Sequence, residues 1–221
     1  MTSSDKTRNL FLYYGKLWGL YLLFGLLLGV LSAFFPDLLS EKYQQNFLQT
    51  LLEENPFQLF IMATVFAPII EEMMFRTLIL PKHSDLLLFI CAWPLFYVNR
   101  FLPVDAHWGI KLGFIAVCLV VLYYLLSQVI REEHTQKWRN WLSKHYQFVL
   151  TLSALLFGLV HINNYVEEFV INAALILLIV PRILAGFMMG LIKIKNKGIQ
   201  WSMALHALNN GVAIGILIWA N

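Results

Sequence analysis

Two neighbouring carboxylates, Glu71 and Glu72, lie inside a long apolar stretch and are followed by Arg76. A charged side chain costs about 2.5–3.5 kcal/mol at the centre of a membrane helix, so such residues are functional by default. Glu72 and Arg76 are four residues apart and share one helical face, where an ion pair lowers this cost. Glu71 projects about 100° away from Glu72. We expect Arg76 to neutralise Glu72 while Glu71 faces a cavity; a purely structural Glu–Arg clasp is the alternative.

Two further apolar segments carry histidines at helical spacing. Phe157 and His161 are four residues apart and share a face, and His206 and Asn210 have the same spacing. An imidazole and a carboxamide on one surface can both donate hydrogen bonds, which is what an oxyanion hole requires. The alternative is structural, because His and Asn also hydrogen-bond between membrane helices.

The composition places these residues in a membrane protein. Of 221 residues, 59% are hydrophobic and 13% are charged, and the mean hydropathy is +0.67. A soluble domain carries about 25% charged residues, so the soluble globular class is excluded. We predict an all-α, polytopic membrane helical bundle of about seven transmembrane helices (six to eight) in a single domain over residues 1–221. The apolar segments are residues 17–35, 57–80, 86–98, 110–130, 148–160, 169–192 and 199–220.

The basic residues predict an orientation for seven spans. Cytoplasmic loops are enriched in Lys and Arg, and a cytoplasmic N-terminus puts eleven of these residues inside and three outside. We therefore expect the N-terminus in the cytoplasm. A compact chain without organelle-targeting signals is typical of bacteria, so we expect an integral protein of a bacterial cytoplasmic (inner) membrane. The inside residues are Lys6, Arg8, Lys16, Lys82, Arg131, Lys137, Arg139, Lys144, Lys193, Lys195 and Lys197, and the outside residues are Lys42, Arg100 and Lys111.

Residues 36–56 are predicted to form an outer interfacial segment. Leu48 and Leu51 oppose Glu53 and Glu54 on a helix, which is typical of an amphipathic helix lying along a membrane surface. A structural anchor is the simplest interpretation of this segment.

Arg182 follows Pro181 near the middle of the sixth apolar segment. A proline bends a membrane helix and frees a backbone carbonyl. An arginine at this depth needs an acidic or carbonyl partner. We expect a structural partner, and contact with a substrate carboxylate is the alternative. The candidate partners are the Glu71/Glu72 and Glu167/Glu168 pairs.

The order of the three motifs resembles that of a known family. Each part alone is weak, but the set is specific. It resembles the CPBP family (CAAX proteases and bacteriocin-processing enzymes, also called Abi), which includes the type II CAAX prenyl endopeptidases. The motifs are Glu71-Glu72-x-x-x-Arg76, Phe157-x-x-x-His161 and His206-x-x-x-Asn210.

Two features depart from the family pattern. Roughly ninety positions separate Glu71 from His161, and residues 86–130 have the character of an inserted pair of spans. An even insertion keeps the relative direction of the motif helices. The predicted topology places Glu71 and His206 toward the inner half of the membrane and His161 toward the outer half. A tilt, a shifted start of the fifth span or a short broken helix would bring them level.

The motifs predict peptide-bond hydrolysis, which needs water, a base and donors for the oxyanion. Glu71 is the best candidate for the base, and the resemblance implies the same role. His161 would then hold or polarise the water, and the resemblance implies that His206 and Asn210 stabilise the oxyanion. Glu72 and Arg76 are expected to shape the site, with Glu72 as a candidate second contact to water.

Three alternatives remain open from the sequence. No cofactor is favoured, but Glu71, His161 and His206 would suit zinc with an open fourth position, as in a metalloprotease. A non-proteolytic immunity or scaffold protein could share the fold, and a small proton-coupled carrier also uses intramembrane charge. The expected partners are membrane lipid and a membrane-associated or lipidated peptide or protein substrate, with no nucleic acid.

Overall fold

The structure is a computed structural model and describes residues 2–35, 43, 45–97, 102–103, 106–166 and 172–220. Residues 36–42 and 44 of the predicted outer segment lie outside this part of the chain. The same holds for four residues named above: Lys42, Arg100, Glu167 and Glu168.

Every regular element in the described part of the chain is a helix. Six helical stretches are long and apolar enough to cross a membrane, and a seventh apolar helix is shorter, at 15 residues. This confirms the polytopic helical bundle of about seven helices. In chain order the elements are α1 (Ser3–Phe34), α2 (Asn46–Glu54), α3 (Pro56–Ile61), a π-helical turn (Met62–Phe66), α4 (Ala67–Phe75), α5 (His83–Tyr97), α6 (Trp108–Val129), α7 (Glu132–Lys144), α8 (Tyr146–Val160), a 3₁₀ turn (His161–Asn164), α9 (Ala173–Asn196) and α10 (Ile199–Ala220).

Helix α1 lies at the edge of the bundle. Its Leu17 is fully buried and packs in one cluster with Met188 of α9 and Leu205 of α10. Leu22 and Leu26 are 66% and 71% exposed, which places a broad apolar surface on the outside of the molecule. A surface of this kind suits lipid rather than water as its surroundings.

Helix α2 occupies the end of the predicted outer segment. Its Leu51 and Leu52 are half-buried, whereas Glu53 and Glu54 are exposed, as an amphipathic helix requires. The location of this helix at the outer membrane surface stays a prediction.

Helix α4 ends earlier than its apolar segment does. The predicted segment runs to residue 80, but the helix stops at Phe75, and Leu80 has a left-handed backbone with φ of 47°. Lys193 of α9 stabilises the turn that follows the helix by donating to its carbonyls. Its Nζ contacts Arg76 O at 2.8 Å, Thr77 O at 3.1 Å, Ile79 O at 2.8 Å and Asp85 Oδ2 at 3.1 Å.

The early end of α4 determines which part of α8 it lies beside. The Ser153 hydroxyl of α8 donates to Phe75 O, and Arg76 Nη1 donates to Ser153 Oγ at 3.1 Å. The rings of Phe75 and Phe157 are also in contact, with centroids 5.5 Å apart. Because the end of α4 meets the middle of α8, the turn that holds Glu71 lies level with the C-terminal end of α8.

Close packing between α8 and α9 holds this arrangement. A Cβ placed on Gly186 of α9 would lie 3.2 Å from Phe157 Cδ1 and 3.3 Å from Ala154 Cα. Small residues let membrane helices approach closely, and van der Waals contact is then a major source of association. A larger residue at position 186 would displace Phe157.

The helices α5 and α6, which the sequence predicted to be an inserted pair, pack on α4. Cys91 and Leu95 of α5 and Ile115 of α6 form one buried cluster with Met73 and Met74 of α4. The described residues of α5 and α6 therefore contribute to the core around the glutamate helix.

Replacing Lys193 by methionine should destabilise the fold. The change removes the donor for the end of α4 and leaves the buried Asp85 carboxylate without its cation, which costs about 3–5 kcal/mol. Thermal unfolding of the detergent-solubilised protein measures the effect. Lys195→Met is the matched control, because Lys195 is exposed on the same helix. Equal melting temperatures of the two variants would contradict the stabilising role of Lys193.

Candidate active site

Three elements bring the predicted carboxylate and histidines together. Glu71 Oε2 lies 3.8 Å from His161 Nε2 and 3.8 Å from His206 Nε2. Glu71 comes from the last turns of α4, His161 opens the 3₁₀ turn after α8, and His206 lies in α10. The difference in depth that the topology predicted for His161 is absent among these residues, because α4 ends beside the middle of α8.

The hydrogen bond at Nδ1 of each histidine fixes how its ring is oriented. His206 Nδ1 lies 2.9 Å from Glu72 Oε1, and His161 Nδ1 lies 2.5 Å from the carbonyl oxygen of Phe157. A carboxylate and a carbonyl only accept, so both Nδ1 atoms carry the proton. Both Nε2 atoms are then directed at Glu71. In a neutral ring Nε2 accepts a hydrogen bond, and in an imidazolium it donates.

Glu72 is enclosed by partners and is fully buried. Its Oε2 lies 3.4 Å from Arg76 Nε and also accepts from the Ser202 hydroxyl, while Oε1 faces His206. Glu71, by contrast, keeps 24% of its side chain exposed, and its Oε2 has no hydrogen-bond partner among the described residues. The two adjacent carboxylates therefore lie in different environments.

Phe157 packs between the arginine and the histidines. The Arg76 guanidinium lies over its ring at 4.5 Å from the centroid, which is a cation–π contact. The ring centroids of His161 and His206 lie 4.7 Å and 5.7 Å from that of Phe157. Phe157 is almost completely buried, so it limits the movement of both imidazoles.

Asn210 lies one turn after His206 and reaches the π-helical turn. Its Nδ2 donates to Ala63 O at 2.9 Å. Pro68, five residues after Ala63, has no N–H with which to close the π-helical hydrogen bond to that carbonyl. One N–H of the Asn210 carboxamide supplies the missing donor, and the second N–H is left for another acceptor.

Two serines in the site were missed from the sequence. Ser202 contacts Glu72, and Ser153 contacts Arg76. Each lies four residues before a motif residue, so the signal was present as a continuation of the same helical face. Extending the spacing backward gives Ser153, Phe157 and His161 on α8 and Ser202, His206 and Asn210 on α10.

A mostly apolar cavity of about 590 Å³ opens beside Glu71. Its apolar walls come from the π-helical turn and from α2 to α6, so α5 and α6 contribute one side. Asn163 and Asn164 of the 3₁₀ turn add polar groups. Its lining includes Met62, Phe66, Ile70, Leu95, Phe96 and Leu112.

Arg182 lies on α9, where its side chain is half-buried. Among the described residues, no carboxylate lies within ion-pair distance of it, so neither Glu71 nor Glu72 is its direct partner. The other expected partners, Glu167 and Glu168, lie outside the described residues.

The residues expected to hold zinc fit a metal in part. The Nδ1 hydrogen bonds of both histidines are of the kind that orient metal-binding imidazoles. No group of three His, Cys, Asp or Glu side chains in the described part of the chain has the spacing of a metal site. The hydrogen bonds at the two Nδ1 atoms therefore suit a metal site better than the distances among Glu71, His161 and His206 do.

Comparison with known proteins identifies the family. A family model described as "Type II CAAX prenyl endopeptidase Rce1-like" matches residues 53–212. Those residues make up more than half of the chain and include all three motifs. No curated protein and no solved structure matches the chain significantly. The match confirms the resemblance to CPBP proteases, and this integral membrane protein belongs to the Rce1-like family of type II CAAX prenyl endopeptidases.

Proposed function

We propose that the protein is an intramembrane endopeptidase that hydrolyses a peptide bond with a water molecule activated by Glu71. One observation carries the proposal: Glu71 Oε2 lies 3.8 Å from the Nε2 atoms of both His161 and His206, beside an apolar cavity. A separation of 3.8 Å is too long for a direct hydrogen bond and suits groups that share one water.

In the first step, Glu71 takes a proton from the water as its oxygen attacks the peptide carbonyl carbon. His161 Nε2, which is an acceptor in the neutral ring, accepts a hydrogen bond from the other O–H of the water, which stays intact, and so orients the attacking lone pair. The new C–O bond converts the carbonyl oxygen into an oxyanion. In the second step, Glu71 returns its proton to the peptide nitrogen, and the C–N bond breaks.

His206 and Asn210 stabilise the oxyanion in this mechanism. His206 can donate from Nε2 only as an imidazolium, because its Nδ1 proton is used by Glu72. The Glu72 carboxylate balances that positive charge. The second N–H of Asn210 is the other donor. Removing one oxyanion donor typically costs about 10²–10³ in kcat.

Glu72 and Arg76 act as positioning residues in the proposal. Their ion pair and the Ser202 hydroxyl hold His206 in place. Because both oxygens of Glu72 are engaged by side chains, we assign no water contact to it.

The substrate we propose is a membrane-associated or lipidated peptide or protein. The apolar cavity favours a ligand with apolar groups next to the scissile bond. The positive-inside pattern supports an N-terminus in the cytoplasm, and the membrane we propose is the inner membrane of a bacterium.

A zinc-dependent form of the same hydrolysis is the second candidate. The hydrogen bonds from both Nδ1 atoms favour it, since metal-binding histidines are held in this way. Glu71, His161 and His206 would hold the ion, and zinc would supply a Lewis acid for the carbonyl and the water.

The first test of the proposal is loss of cleavage in Glu71→Gln. Without the base, kcat for a membrane-tethered peptide should fall by about 10²–10⁴. His206→Ala should lower kcat by about 10²–10³ through loss of an oxyanion donor. Glu133→Gln, an exposed glutamate on α7, is the matched control and should cleave like the parent protein. Unchanged cleavage in both site variants would overturn the proposal that Glu71 and His206 carry the hydrolysis.

Removal of metal by a chelator distinguishes the metal-free mechanism from the zinc-dependent one. With Glu71 as the base and no metal, purified protein dialysed exhaustively against a strong chelator should retain its cleavage rate. Elemental analysis of the active protein should then find much less than one zinc per chain. Activity that disappears on chelation and returns with added zinc would replace the metal-free mechanism with the zinc-dependent one.

A further inference from the structure

The 3₁₀ turn after α8 (His161–Asn164) has two buried residues followed by two exposed ones. Ile162 is fully buried and packs in one cluster with residues of α9. Asn163 and Asn164 are exposed, and both line the apolar cavity of the candidate active site. The buried half therefore fixes the turn against α9 and places two carboxamides at the cavity wall.

The local backbone does not require asparagine at either of these positions. Asparagine is frequent at helix ends because it tolerates a left-handed conformation. Among the described residues other than glycine, only Leu80 and Lys197 have a positive φ, so Asn163 and Asn164 have ordinary right-handed backbones. The two carboxamides therefore point to a role in the cavity that they line.

The geometry of the turn aligns Asn164 with His161. The Tyr165 N–H donates to Ile162 O at 2.9 Å, which is the hydrogen bond of a 3₁₀ turn. In such a turn, residues three positions apart eclipse each other, and Asn164 lies about 6 Å beyond His161 along the axis. An extended peptide advances by about 3.3 Å per residue, so this separation matches about two residues of a bound chain.

A hydrogen bond joins the chain beside the turn to the start of α2. Gln45 Nε2 donates to the Tyr165 hydroxyl oxygen at 2.8 Å, and Gln45 also lines the cavity. Since Tyr165 follows Asn164 directly, this contact holds the turn from a second side. Gln45, Asn163 and Asn164 therefore form a polar part of the wall, where the turn meets the N-terminal end of α2.

A peptide substrate brings main-chain polar groups into this cavity. An extended chain cannot satisfy its N–H and C=O groups internally, and apolar walls offer them no partner. A carboxamide has one acceptor and two donors, so it can pair with both groups of a peptide unit. Among the described residues that line the cavity, the other polar side chains are Gln45, which donates to Tyr165, and Glu71, which is the proposed base.

We propose that Asn163 and Asn164 bind the main chain of the substrate peptide within about two residues of the scissile bond. This inference rests on the proposed endopeptidase function. The groups that they bind are the same in every residue except proline, so the subsite holds an extended chain whatever its side chains are. It fixes the position of that chain relative to the water at Glu71 and His161, and so selects the peptide bond that is cleaved.

The experiment uses membrane-anchored peptides that share one cleavage sequence and differ in one main-chain group. In each peptide, one amide within three residues of the scissile bond, on either side, is replaced by an ester, which removes its N–H. The scissile amide is unchanged, and product masses distinguish its cleavage from hydrolysis of the ester. For the full-length protein in lipid vesicles, kcat/KM should fall by about 3- to 10-fold for one or two replacements, because each removes a hydrogen bond.

Alanine variants show whether the asparagines make these contacts. Asn164→Ala should lower kcat/KM for the all-amide peptide by about 3- to 10-fold, and the ester that it contacts should then have no further effect. Asn163→Ala should behave in the same way toward its own ester position. A purely structural role would leave the effect of each ester unchanged. Asn140→Ala, at an exposed position on α7, is the matched control and should give the parent values.

Each outcome decides the proposal. Equal kcat/KM for all the peptides in the parent protein overturns the main-chain subsite and leaves the endopeptidase in place. Ester effects that stay undiminished in one variant overturn the role of that asparagine, and in both variants they overturn the subsite. Where an alanine variant does not accumulate, the corresponding leucine variant, which keeps the side-chain size, is read in the same way.

Failure of the proposed function has a different result. A parent protein that cleaves none of the peptides, with the membrane-tethered peptide of the first test also intact, overturns the endopeptidase and this inference with it.

Discussion

The site depends on the neutralisation of one buried carboxylate, that of Glu72. In an apolar interior an unpaired carboxylate is too costly to keep, so its oxygens must be matched by cations and donors from the surrounding helices. Arg76, Ser202 and His206 supply them, and this joins α4 to α10. Because these partners are committed to Glu72, the next residue, Glu71, is left with an oxygen available for chemistry.

Much of this arrangement could be predicted from helical geometry alone. A rotation of about 100° per residue separates Glu71 from Glu72, and spacings of four residues place His206 and Asn210 on one face. Ser202 and Ser153 obey the same rule and could have been found by extending it. The family motifs then indicated which faces meet.

The end of α4 could not be predicted in this way. Leu78, Ile79 and Leu80 are apolar, and Pro81 predicts only that the helix ends before residue 81. The chain leaves the helix already after Phe75, and the carbonyls of residues 76, 77 and 79 are bound by Lys193, more than a hundred residues later. A partner so distant in sequence has no local signal. The same tertiary contact explains why His161 and Glu71 meet, although counting residues from the membrane edges places them at different depths.

The hydrogen bond from Asn210 to Ala63 has a consequence for how binding and chemistry communicate. Ala63 lines the cavity, and Asn210 is one turn from His206, so a single carboxamide links the cavity wall to the proposed donors for the oxyanion. The π-helical turn gives this wall a carbonyl that its own helix does not hold. An occupant that moves the wall also moves the carboxamide, so substrate fit and the alignment of the reaction centre vary together.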